Sequence, residues 1–255
     1  MNPITSPFRT FLATTLAVLA VASCNEPDAT PTAPTTTSVA PVIDPGDGGT
    51  YAPIVKAADF VAVIDNPYLP LSAGASWHFV DGDTTIDVEV LEETRTVAGV
   101  TVTVVRDRVR TAGVIDEDTL DFFAQDRTGN VWYFGEEVTN YRDGKELDHE
   151  GSWVAGRGGA QPGIVMPAQP RPGDAFRQEF DPGEAEDMFE IVELDAEVST
   201  PSGDYSDALK TRDWTPLEPD VVEEKFYVAG IGPVAAMKVQ GGTGRELLES
   251  YVPGG

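Results

Sequence analysis

Cysteine is nearly absent: Cys24 is the only one in 255 residues. No intrachain disulfide can form, so whatever folds must be held by its core alone. Basic residues are scarce, with 17 Lys and Arg against 43 Asp and Glu and a formal charge of -26. That balance excludes nucleic acid as a partner, because such binding is dominated by phosphate neutralisation through Lys and Arg. It also excludes docking on anionic lipid through a basic patch. There are only two histidines, His78 and His149, and neither has the short spacing to a second ligand that marks a metal site. A Gly-x-Ser-x-Gly elbow, a Walker loop, a dinucleotide fingerprint and a cysteine-based metal site are all missing. Beyond the first two dozen residues no apolar run reaches 18, so nothing there spans a bilayer as a helix. What is present suffices for a folded domain: 41% hydrophobic residues and four Trp.

The N-terminus carries one cation, Arg9, and then an apolar run over residues 11–22, which is too short for a membrane span that needs roughly 20 residues and fits a secretory signal. It ends in Val21-Ala22-Ser23-Cys24, which resembles the bacterial lipobox. The resemblance implies cleavage before Cys24 and acylation of that cysteine, so that the membrane partner is reached through acyl chains, with two or more anchoring stably. Residues 1–23 are then a signal peptide. Residues 24–50, rich in Pro, Thr, Ala and Gly, form a tether too poor in apolar residues to order itself, and residues 51–255 form the domain. The expected location is the cell envelope, facing the periplasm or the exterior. Loss of Arg9 moves the charge from -26 to -27.

Past Tyr51 the sequence is dominated by period-two alternation cut by turns. Ser76 to Val80 and Thr85 to Glu93 flank a tight turn at Asp81-Gly82-Asp83, with Ile86, Val88 and Val90 on one face and Asp87 and Glu89 on the other. Further strands are expected at residues 100–109, 120–125, 131–135, 138–141, 146–149, 176–180, 188–198, 208–214, 221–228, 234–239 and 246–252. Residues 156–174 carry five Gly and four Pro and predict a long loop without helix or interior strand. The fold class is therefore all-β: one antiparallel curved sheet of about ten to twelve strands, a half-barrel, barrel or sandwich. Tyr68-x-Pro70-Leu71-x-x-Gly74-x-x-Trp77-x-Phe79 resembles the opening hairpin of secreted bacterial half-barrels of the lipoprotein-carrier kind. The resemblance covers about a dozen residues, implies an open barrel able to hold an acyl or other apolar ligand, and carries over no catalytic residue.

Three sets of residues suggest chemistry. Ile164, Val165 and Met166 form an apolar centre in the 156–174 loop, which has no reason to carry them unless they cover something. They predict a plug, or a lid over an apolar ligand cavity lined by Trp153, Phe176 and Phe180. Glu184, Glu186 and Asp187 concentrate acids at a turn, where calcium is the fitting cation and a solvated turn the alternative. Asp81, Asp83, Thr85, Asp87 and Glu92 have calcium-loop offsets, but Ile86 stands where that loop needs Gly, so they predict a hairpin. His149 and Ser152, the one close histidine–serine pair, should sit on opposite faces of one strand. The leading expectation is a monomeric, membrane-tethered lipoprotein that binds an apolar or amphipathic ligand or an envelope partner. An exported hydrolase or metal enzyme and a structural envelope module are the alternatives.

Overall fold

Three turns of the same chemistry build the first half of the domain. Ala98-Gly99, Ala112-Gly113 and Asp143-Gly144 each place two successive residues at positive φ (48° and 82°, 50° and 80°, 54° and 71°). That is the two-residue turn whose twist matches paired antiparallel strands. They join β3 (Thr84–Val97) to β4 (Val100–Thr111), β4 to β5 (Val114–Asp126), and β6 (Val131–Arg142) to β7 (Lys145–Asp148). Before them come a 3-10 turn at Ala57–Asp59, a short β1 (Phe60–Val61) and β2 (Ser76–Asp81). These elements belong to a computed structural model that describes residues 51–255. The lipobox, Cys24 and the 24–50 tether lie outside the described residues.

The second half adds β8 (Trp153–Val154), β9 (Gln161–Met166), β10 (Ala175–Arg177), β11 (Glu179–Phe180), β12 (Met188–Thr200), β13 (Gly203–Trp214), β14 (Val222–Val228), β15 (Gly232–Gln240) and β16 (Arg245–Val252). Every pairing is antiparallel. The sheet runs β10-β12-β13-β14-β15-β16-β2-β3-β4-β5-β6-β9-β11. Its two ends, β10 and β11, are separated by Gln178 alone. The segment Ala175 to Phe180 thus pairs with β12 through its first half and with β9 through its second, and it closes the sheet on itself. This strap leaves the sheet no long free edge at the seam.

Inside the ring, alternate residues bury the core: Trp77 and Phe79 of β2, Ile86 and Val88 of β3, Val105 and Val109 of β4, Phe123 of β5, Phe189 and Ile191 of β12. Trp77 also donates its indole N–H to the Ile231 carbonyl at 2.8 Å, fixing the corner between β14 and β15 to β2.

The all-β, curved antiparallel expectation holds, with sixteen strands among the described residues rather than ten to twelve. Two local differences matter most, one merging two expected strands and one adding a strand. Residues 131–135 and 138–141 are one strand, because Gly135 at φ 134° makes a bulge against Trp153 and Val154 rather than a break. Within the expected loop, residues 161–166 are β9, an interior strand between β6 and β11. Pro162 and Gly163 suggest a break when read alone, yet β9 accepts both: a Cβ at Gly163 would fall onto the carbonyl groups of Arg177 and Gln178, so only Gly lets the strap cross there.

Candidate functional site

The side chains singled out for an apolar ligand belong to the seam. Ile164 and Met166 are fully buried on β9, opposite Trp132 and Val131, while Val165 on the other face is half-buried. Phe176 stacks on Phe189 at 5.3 Å between centroids. Half-buried Phe180 packs edge-on to Tyr51 and under the Arg177 guanidinium, which sits 4.5 Å from its ring. Trp153 is buried edge-on against Tyr133, in register with Glu136, and its indole N–H finds no hydrogen-bond partner among the described residues. Phe176, Phe180, Ile164 and Met166 are thus brought together around the strap. A lid there would require β9 to leave both neighbouring strands.

The acids at 184–187 are not brought together. Glu184 is exposed, Glu186 accepts the Gly183 N–H at 2.9 Å and stands 3.8 Å from Arg177, and Asp187 is buried in the barrel. Among the described residues no group of three or more His, Cys, Asp or Glu has the geometry of a metal site. The Asp81–Asp87 segment is the expected β2–β3 hairpin.

The barrel interior is unusually acidic. Register places Asp121 opposite Glu136 and Asp213 opposite Glu223, all buried, and Asp107, Glu179 and Glu246 are buried as well. Lys225 and Arg177 are the buried cations among the described residues. Lys225 Nζ stands 3.2 Å from Asp213 Oδ2, whose carboxylate also accepts from Gln178 at 3.0 Å and Thr211 at 2.5 Å. Burial opposes the Lys225 charge, but Asp213, Glu223 and Asp187 outweigh it and raise its pKa. Tyr133 donates to Asp121 at 2.6 Å, and burial first, then Asp121, Glu136 and Glu179, push its pKa well up.

Glu246 shows what this interior does to an acid. Burial, reinforced by Glu223 and Asp107 and opposed by Lys225, raises its pKa well above 4.5. The folded chain therefore keeps a proton that the unfolded chain releases. The resulting stability is fully present below the ordinary glutamate range and is lost as pH rises above it towards the folded value. Glu246→Gln, isosteric and uncharged, is expected to match the wild type at pH 4 and to be the more stable of the two at pH 8 in denaturant titrations. Parallel stability–pH curves for the two proteins would show that Glu246 titrates normally.

On the outer face, β3 to β6 together with the turn between β7 and β8 enclose a cleft of about 630 Å³. Its floor is apolar, made by Leu91 and Leu120, with the Val138 backbone beside them. Cross-strand register sets its walls: Arg106 stands opposite Leu120, and Leu120 opposite Glu137. Arg106 grips Asp118 with Nε (2.7 Å) and Nη2, and Arg108 Nη2 adds a second contact at 3.1 Å. Burial raises the Asp118 pKa, but the two arginines outweigh it and hold the carboxyl below its ordinary range. Across the floor, Arg95 Nη1 holds Glu137 at 2.6 Å and Nη2 lies 3.7 Å from Glu93. Tyr141, Thr139, His149 and Ser152 complete the rim.

His149 and Ser152 thus share one cleft, because the chain turns between β7 and β8 instead of continuing as a strand. Both are engaged with the same peptide: His149 Nδ1 donates to the Val138 carbonyl at 2.6 Å, and the Val138 N–H donates to Ser152 Oγ at 2.8 Å. No hydrogen bond joins the two side chains among the described residues. They shape the wall of the cleft. Sequence reasoning missed Leu91, Arg106, Asp118, Leu120 and Tyr141, because the cleft exists only once four strands are in register.

No protein-family model matches the chain, and no curated protein matches it. Among solved structures, it is similar to a protein of Bacteroides fragilis provisionally described as exported, with a YmcC-like fold, at 14% identity and a TM-score of 0.42. A protein of Parabacteroides distasonis provisionally described as a lipoprotein is similar at 12% identity and a TM-score of 0.35. Each match covers 73% of this chain and 99% of the other.

Proposed function

We propose that this protein is an exported lipoprotein, tethered through acylated Cys24, whose barrel binds a small amphipathic molecule in the outer cleft without transforming it. The observation that carries the reading is the cleft itself. Its volume lies within the roughly 300–1,000 Å³ range of small-molecule sites, and it sets a few convergent polar groups around an apolar floor. The engagement of Ser152 and His149 with the Val138 peptide supports binding rather than hydrolysis.

Two measurements test the two halves. Cys24→Ala should abolish membrane fractionation while the domain stays folded, since acylation needs the thiol. A variant that remains with membranes after a high-salt wash would refute the anchor. In the soluble Cys24→Ala chain, the uncharged dye N-phenyl-1-naphthylamine should show saturable fluorescence enhancement that Leu120→Glu removes. Leu120 is half-buried on the outer face, so this change places a charge on the cleft floor without entering the barrel. Enhancement unaltered by Leu120→Glu would move the ligand elsewhere.

A further inference from the structure

The geometry points to an uncharged, hydroxyl-bearing amphiphile as the ligand of the outer cleft, an inference that rests on the binding function proposed above. Its basis is local charge balance in a chain that has none overall. Acids outnumber bases 43 to 17 in the whole sequence, yet the charged walls of the cleft and their immediate ion partners are three arginines, Arg95, Arg106 and Arg108, against three acids, Glu93, Asp118 and Glu137.

These six balance in number, and each is already engaged. Arg106 and Arg108 converge on Asp118, and Arg95 bridges Glu137 and Glu93. A carboxylate ligand entering beside Leu120 would have to compete with Asp118 or Glu137 for an arginine that is already engaged. An ammonium ligand would do the reverse. Either ion would give up its own hydration for a cleft whose charges sum to zero and whose ion pairs are partly exposed, so the exchange returns little. A neutral head meets no such conflict.

The rim offers what such a head needs. Thr139, Ser152 and Tyr141 present hydroxyls, Glu93 a carboxylate acceptor, and His149 a second ring nitrogen, Nε2, that lies 3.3 Å from Glu146. Arg and carboxylate groups locked in ion pairs still offer unused N–H donors and oxygen lone pairs to hydroxyls. Leu91 and Leu120 below them accept a short alkyl or other apolar face. The occupant is therefore polyhydroxylated at one end and apolar at the other, as a glycoside of a lipid is.

The test is displacement of N-phenyl-1-naphthylamine from the full-length Cys24→Ala chain by three eight-carbon amphiphiles below their micelle concentrations: octyl glucoside, octanoate and octyltrimethylammonium. Octyl glucoside should displace the dye at about tenfold lower concentration than either ion. Arg95→Gln should then improve octyltrimethylammonium, because it frees Glu137, and Glu137→Gln should improve octanoate, because it frees Arg95. Melting curves would confirm that both variants are folded. Equal or better displacement by either ion from the unsubstituted cleft overturns the inference, and so does failure of all three with the dye still bound. Absence of dye binding overturns instead the amphiphile-binding reading beneath it.

Discussion

Lys225→Met is expected to lower the free energy of unfolding by about 3–5 kcal/mol, the usual cost of removing one member of a buried pair and leaving the other charged. Lys225 and Asp213 are each 2% exposed. Glu223 lies opposite Asp213 in the ladder, so loss of the ammonium leaves two neighbouring carboxylates facing each other as well. Methionine fills nearly the same volume, which separates the electrostatic cost from a packing cost. In urea titration the midpoint should fall with the slope unchanged. Adding Asp213→Leu to Lys225→Met should recover part of the loss, because both charged partners are then gone. A single-variant cost below about 1 kcal/mol would mean that water reaches the pair, since exposed pairs contribute no more than that.

The other large effect is steric and concerns barrel closure. Gly163→Val should destabilise the protein by about 3 kcal/mol or more, at the upper end of overpacking costs, because the atoms in the way are the Arg177 and Gln178 carbonyls rather than a side chain that can turn aside. The strap must shift, and with it the pairing of β11 to β9 and the Gln178 hydrogen bond to Asp213. Limited proteolysis should then cut between residues 170 and 187 in the variant and spare the wild type. Gly158→Val provides the contrast. It has positive φ but open space around it, so only a backbone cost of about 1 kcal/mol is expected. Equal losses at the two glycines would contradict the closed seam.

The strands were legible wherever one face is apolar and the other polar. β3 is the plainest case, with Ile86, Val88 and Val90 buried between exposed Asp87 and Glu89. β5 was legible only from Leu120 onward. Upstream, Glu117 and Thr119 alternate with Asp118, polar on both faces, and nothing in the pattern says that Glu117 and Thr119 are the buried ones. β9 was hidden for a different reason. Pro162 and Gly163 break strands on average, but Pro162 lies where its carbonyl still accepts from Tyr51 at 2.8 Å, and Gly163 is required by the strap. The cleft was least legible. Arg106, Leu120 and Glu137 lie 14 and 17 residues apart in the sequence and become neighbours through two hairpin registers that the turns and bulges set. By contrast, the apolar residues that suggested a ligand, Ile164 and Met166, find their burial in the barrel itself.

The most direct test of the account is a heteronuclear NMR titration of the soluble Cys24→Ala chain with N-phenyl-1-naphthylamine. Binding in the outer cleft predicts saturable amide shifts concentrated at Leu91, Arg106, Leu120, Val138 and Tyr141, with the seam residues unmoved. Shifts centred instead on Trp153, Ile164, Phe176 and Phe180 would contradict the account and place the ligand inside the barrel.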